Sequence, residues 1–145
     1  MKKLILIAVA IALIYGFVHE NGISIPTSFS LSSQSSESTL QKEYKNRQSD
    51  LQVQGKGVVI KLLRDDLKGS RHQKFIVKLS TGQTLLVSHN IDLAPRIDRL
   101  RTGDTVEFYG EYEWNSKGGV IHWTHHDPDG RHIGGWLKHK SKTYQ

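Results

Sequence analysis

Apolar and polar residues alternate with period two along much of the second half of the chain. Gln73, Phe75, Val77 and Leu79 alternate with Lys74, Ile76 and Lys78, and Leu85, Val87 and His89 with Thr84, Leu86 and Ser88. Period two predicts half-buried β-strands. The connection Ser80-Thr81-Gly82 ends on glycine, which suits a hairpin built from a type I turn and one left-handed residue. That register sets Val77 against Leu85, Phe75 against Val87 and Gln73 against His89.

A second hairpin follows the same logic. Val106, Phe108, Gly110, Tyr112 and Trp114 share one face, and Glu107, Tyr109, Glu111 and Glu113 the other. A four-residue loop, 116–119, predicts Trp114 opposite Ile121, Tyr112 opposite Trp123, Glu113 facing His122 and Glu111 facing Thr124. A one-residue slip would exchange the faces, which disfavours a five-residue loop. His126 is then expected beside Tyr109, and His125 opposite Gly110. Earlier, Val53 to Leu63 reads as a strand in which Gly55 and Gly57 make a bend or bulge cheap. Pro95 to Arg101 reads as a short helix buried through Ile97 and Leu100 and stopped near Gly103.

Three strands, a short helix and two strands define an all-β fold with one short helix. The order is that of an OB-like five-stranded Greek-key barrel, with a small open sandwich or roll as the alternative. Asp127-Pro128-Asp129-Gly130 suits a type I turn. Beyond it, Trp136 to Tyr144 predicts one more hairpin outside the barrel.

The front of the chain has a different character. Lys2 and Lys3 precede an apolar run from Leu4 to Val18, so residues 1–18 read as a signal peptide or an N-terminal hydrophobic anchor helix. The run falls short of the roughly 20 residues of a full membrane span. A cleavage site of small residues is nevertheless missing, because Tyr15, Phe17, Val18 and His19 are bulky. Both fates stay open. In either, the lysines remain cytoplasmic and the rest is exported. The domain then faces the periplasm from the inner membrane, held through residues 4–18, or is periplasmic or secreted after cleavage. Residues 19–49 read as a disordered tether, since eight of the fifteen residues from Ser24 to Ser38 are serine. Thr39 to Asp50 is polar enough for only a turn or two of helix. Residues 50–145 remain as one folded domain with a single small core.

Composition then removes some chemistry. The chain has no cysteine, which excludes disulfides, a cysteine-linked lipid and thiolate metal sites. Any metal, zinc included, must be held by histidine and carboxylate. From Asp50 onward fifteen lysines and arginines face eleven acids, a scattered net charge of +4. That suits an ordinary solvated surface or a weak attraction to polyanions.

The stretch Ile121-His122-Trp123-Thr124-His125-His126-Asp127-Pro128 concentrates three imidazoles and an acid. Imidazole titrates near neutrality and is the commonest metal ligand. The candidate ligands are His122, His126, Asp127 and His132, with His125, His72 and His89 as further donors. His125 and His126 point to opposite faces on a regular strand. A mononuclear site therefore needs His122 and His126 with Glu111, Glu113 or His132. Catalysis would fall to His122 and Glu113 as an acid–base pair. Ligand binding would fall to Arg71, His72, Lys74, His89, Arg96, Tyr109 and Trp136, with Trp114 and Trp123 read as core. Three functions fit this surface. One is a module for a polyanionic or polymeric partner, nucleic acid or envelope saccharide. Another is a metal-dependent hydrolase of phosphodiesterase type, and the third a pH-responsive envelope adaptor.

Several blocks carry a family likeness: Gly69-Ser70-Arg71-His72-Gln73, His89-Asn90-Ile91-Asp92-Leu93-Ala94-Pro95-Arg96, Gly110-Glu111-Tyr112-Glu113-Trp114-Asn115 and His122 to Pro128. In order and length they resemble a small bacterial family known as domain of unknown function 3465, over roughly Leu51 to Gln145. The resemblance implies one compact domain in an envelope setting. It brings no activity, ligand or catalytic residue with it.

Overall fold

In a computed structural model the period-two segments are strands of one coiled sheet. The structure describes residues 28–145, with side chains from residue 36 onward. The apolar run 4–18 and the first part of the serine-rich stretch lie outside the described residues. Among those described, no helix is long and apolar enough to cross a membrane.

The elements are a helix α1 (Ser28–Asn46) and strands β1 (Leu51–Leu62), β2 (His72–Lys78), β3 (Thr84–Asn90), β4 (Thr105–Glu113), β5 (Val120–His122), β6 (Trp136–His139) and β7 (Lys142–Tyr144). Strand order β1-β2-β3-β5-β4, with β4 pairing back to β1, closes a five-stranded barrel. The β3–β5 pair is parallel and the other neighbours are antiparallel. The fold is the OB-like barrel with an added hairpin. β6 continues along the edge of β4 where β5 leaves it, pairing Tyr109 with Trp136, and β7 completes the hairpin.

The interior is the inward half of each alternation. Val59, Phe75, Val77, Leu85, Val87, Val106, Phe108, Tyr112, Ile121 and Leu137 are all fully buried. Each such side chain contributes about 1.5–3 kcal/mol relative to exposure. The first hairpin has the expected pairs, Val77 with Leu85, Phe75 with Val87 and Gln73 with His89. Gly82 sits at φ 86°, the left-handed position its loop requires. In β1 the register shifts between Val59 and Lys61, so the bulge falls just past the glycines. Gly55 instead makes room for the Phe108 ring, which a Cβ there would meet at 2.7 Å.

Three expectations change. The second hairpin pairs Tyr112 with Ile121 and Glu111 with His122, two residues away from the expected register. A two-residue shift preserves the faces. Trp114 leaves the strand, donating its indole N–H to the Tyr44 carbonyl at 3.0 Å, with Arg47 over its ring. Second, residues 95–101 run through turns rather than a helix. The Ile97 N–H and carbonyl, which a helix would use internally, are both taken by the buried Gln73 amide at 2.9 and 3.0 Å. Ile97 and Leu100 are buried as expected. Third, the later part of the serine-rich stretch is helical, and it meets the barrel. Leu40 is fully buried in the core cluster, and the Glu37 carboxylate accepts from the Ser80 N–H at 3.1 Å and from its hydroxyl. Docking, rather than propensity, supplies most of the stability of such a polar helix.

Candidate functional site

The outward faces of β4 and β5 carry Glu111, Glu113 and His122. Alternation puts them there: their neighbours Tyr112 and Ile121 fill the core, so these three must face out. His122 Nε2 lies 3.1 Å from Glu111 Oε1 and 3.8 Å from Glu113 Oε1. One ligand atom from each residue lies within 4.8 Å of the others. His122 Nε2 is buried and makes no hydrogen bond, so it approaches two carboxylates without the alignment of an N–H donor. Four-coordinate zinc with bonds of about 2.1 Å separates its ligands by roughly 3.4 Å. The two distances bracket that edge.

Position 110 fixes how the chain leaves this face. A Cβ at Gly110 would meet the His122 carbonyl at 2.4 Å and the Thr124 methyl at 2.9 Å, so only glycine admits the crossing. Thr124, not His125, lies over Gly110. Trp123 then adopts φ 50° and turns the following loop back across the sheet. A bulky residue in this region is uncommon and costs on the order of 1–2 kcal/mol. Stacking offsets that cost, since the Trp123 and His132 rings lie 3.9 Å apart and only 6° from parallel.

The loop brings His132 to the carboxylates. Its Nε2 lies 2.5 Å from Glu111 Oε2 and its Nδ1 2.8 Å from the Ile133 carbonyl. The carbonyl and the carboxylate both accept, so the pair favours a ring protonated on both nitrogens. Burial opposes that charge, but the Ile133 carbonyl and the Glu111 carboxylate outweigh it and raise the pKa above the ordinary histidine value. Glu111 is thus divided, with one oxygen bound to His132 and the other turned toward His122.

The remaining predicted ligands are placed elsewhere. His126 is exposed, because β5 ends at His122 and its alternation does not extend that far. The Asp127 oxygens accept from the N–H groups of Asp129, Arg131 and His132 at 3.1, 2.7 and 2.7 Å. Burial notwithstanding, those donors hold its carboxyl below the usual value. Asp127 shapes the loop, with both oxygens engaged by its backbone N–H groups.

The predicted binding residues also disperse. His89 is 0% exposed, pointing into the barrel, where its Nδ1 accepts from the Thr124 hydroxyl at 2.8 Å and its Nε2 donates to the Pro95 carbonyl at 3.2 Å. Burial drives its pKa down to about 4. It belongs to the core, not to a binding surface. Arg71 binds Asp92 at 2.6 Å, Lys74 lies 3.6 Å from Asp66, and Arg96 binds Asp65 at 2.8 Å and Asp98 at 3.4 Å. Each expected cation has an acidic partner. Tyr109 and Trp136 are cross-strand neighbours with ring centroids 6.1 Å apart.

Beside the His/Glu cluster is an open cleft of about 310 Å³. Ser70, His72, Ser88, Asn90, Leu93, His122, Trp123 and His125 line it. The sequence reading left Glu111 and His125 as secondary donors and did not single out Ser70, Ser88 or Asn90 as cleft residues. Outward parity of Ser88 and Asn90 on β3 is the only trace of the cleft in the sequence. His139, 4% exposed, was also missed; its Nε2 lies 2.9 Å from Asp104 and ties β6 to the start of β4.

A family model described as a protein of unknown function (DUF3465) matches residues 23–145. No curated protein sequence matches the chain.

Proposed function

We propose that this chain, which belongs to the DUF3465 family, is an exported barrel that holds a divalent cation through Glu111, Glu113 and His122. The observation carrying this reading is the His122 Nε2 atom, buried, without a hydrogen bond, and 3.1 and 3.8 Å from two carboxylate oxygens. A ring nitrogen set between two carboxylates without an aligned hydrogen bond is poorly satisfied by itself and well placed around a cation. One imidazole and two carboxylates suit zinc, with manganese as the harder competitor. His132 supports the site by fixing the orientation of Glu111, as groups hydrogen-bonded to metal ligands commonly do. Three protein donors leave a fourth position for water, the arrangement of hydrolytic rather than structural zinc. Lys2, Lys3 and the apolar run to Val18 support the reading of export, anchored at the inner membrane or released after cleavage.

The polyanion reading loses support, because Arg71, Lys74 and Arg96 are each engaged by aspartate. Metal stripping of the full chain followed by calorimetric titration with zinc and with manganese tests the proposal. One equivalent of either is expected to bind, and His122→Ala to abolish binding with the strand signal in circular dichroism retained. Absence of stoichiometric uptake by the wild-type chain reduces the cluster to ion-paired histidines and rejects the reading.

A further inference from the structure

The cleft next to the His/Glu cluster has a wall of mixed donors and acceptors, without lysine, arginine or carboxylate. His72 Nδ1 donates to the Ser70 carbonyl at 2.7 Å, and His125 Nδ1 to the His126 carbonyl at 2.8 Å. A carbonyl can only accept, so Nδ1 carries the donated proton in each ring and Nε2 is left for another partner. Asn90 Oδ1 accepts from the Asp92 N–H at 2.9 Å, which leaves its amide NH₂ as a donor. The hydroxyls of Ser70 and Ser88, also on the wall, act either way.

Phosphate and carboxylate groups only accept, and proteins bind them mainly with arginine, lysine or backbone N–H groups. No lysine or arginine lines this cleft, and nearby Arg71 is held by Asp92 through both its backbone N–H and its guanidinium. Hydroxyl groups both donate and accept, which matches a wall that mixes the two. Leu93, 44% exposed at the cleft, offers an apolar contact for carbon–hydrogen surface. Trp123 does not provide a stacking platform, since His132 covers one face and His125 lies against the ring at 5.3 Å.

We infer that this cleft binds a neutral polyhydroxylated ligand, a saccharide held by its hydroxyl edge between His72, His125, Ser70, Ser88 and Asn90. The inference deepens the proposed function, whose ligand His122 also lines the cleft, but its hydrogen-bonding groups act without a metal.

The test uses the full chain, zinc-free and zinc-supplied, on an array of immobilised neutral oligosaccharides derived from chitin, cellulose and α-glucans, beside a fluorescent oligothymidine strand. The expected result is binding to at least one oligosaccharide that is insensitive to salt. His72→Leu should weaken it about tenfold, the loss of one such hydrogen bond, and Arg96→Ala should leave it unchanged. Binding to none of the sugars, or equal binding by His72→Leu, overturns the inference. Preferential capture of the oligothymidine with affinity falling steeply in salt also overturns it, in favour of a polyanion. Sugar binding by zinc-free protein that takes up no metal leaves the cleft standing and removes the cation centre. Zinc uptake without sugar binding does the reverse.

Discussion

His89 and His132 lie on opposite sides of one sheet wall and have been driven in opposite directions. His89 points inward at the end of β3, loses its hydration and keeps a neutral ring with a pKa near 4. Its two nitrogens hold the Thr124 hydroxyl and the Pro95 carbonyl, so it pins the loops that follow β5 and β3. Together with Gln73, which grips Ile97 by both amide atoms, it closes one end of the barrel. His132 faces out, lies on Trp123 and faces the Glu111 carboxylate and a carbonyl, which favour its charged form and raise its pKa. One imidazole is a structural plug and the other an electrostatic support for a site. Residue type does not separate them; the direction of the pleat and the available acceptors do.

Removing the plug gives the largest expected effect. His89→Ala leaves a cavity and strips partners from the Thr124 hydroxyl and the Pro95 carbonyl, so a loss of about 4 kcal/mol is expected. Urea unfolding at neutral pH measures it. A loss below about 1 kcal/mol would mean that the end of the barrel closes without the histidine.

The next effect depends on pH. Unfolded His89 takes up a proton near its ordinary value of 6.5, whereas folded His89 resists until about 4. The unfolded state therefore binds more protons between those values. Stability from this residue is complete above pH 6.5 and is lost as pH falls to 4, by about 3 kcal/mol. His132, with its raised pKa, acts in the opposite sense, its contribution being present at low pH and lost as pH rises through that value. Urea midpoints followed from pH 7.5 to 4 should show the His89 decline. His89→Leu should flatten it, and an unchanged slope in that variant would assign the acid sensitivity to other groups.

The smallest effect on stability belongs to the outer face. Glu111→Gln removes a partly exposed charge pair with His132 and should cost less than about 1 kcal/mol. The same change should weaken zinc binding at least about tenfold, through a lost ligand and a released His132. Calorimetry beside urea unfolding separates the two. Equal damage to both would place Glu111 with the structural groups and end the contrast with His89.

The β2–β3 hairpin was legible because a three-residue loop and two clean alternations allow one register. The β4–β5 hairpin was legible only in its faces. Trp114 satisfies the same alternation as Tyr112, and nothing local records that it is drawn away by Tyr44 and Arg47. Glu113 was therefore expected opposite His122, where Glu111 stands. The stretch 95–101 has a helical spacing of apolar residues, but its backbone groups are claimed by Gln73, 24 residues earlier on β2, and by His89 near the end of β3. Helix α1 was misjudged for the complementary reason. Its serines argue against order, and its partners Ser80 and the barrel core lie far along the chain.

Local patterning determined the strands, their inward faces, the first hairpin and the barrel order, because pleating has a period of two and burial rewards one face. Tertiary structure alone decided which histidines meet which acids. The left-handed turn at Trp123, the crossing at Gly110 and the three N–H groups gathered by Asp127 set the path of residues 123–135. The Asp127 contacts are local, within five residues, but the Gly110 crossing and the approach of His132 to Glu111 join separate parts of the chain. Such placement is settled by steric room and hydrogen-bond satisfaction rather than by the spacing of residues.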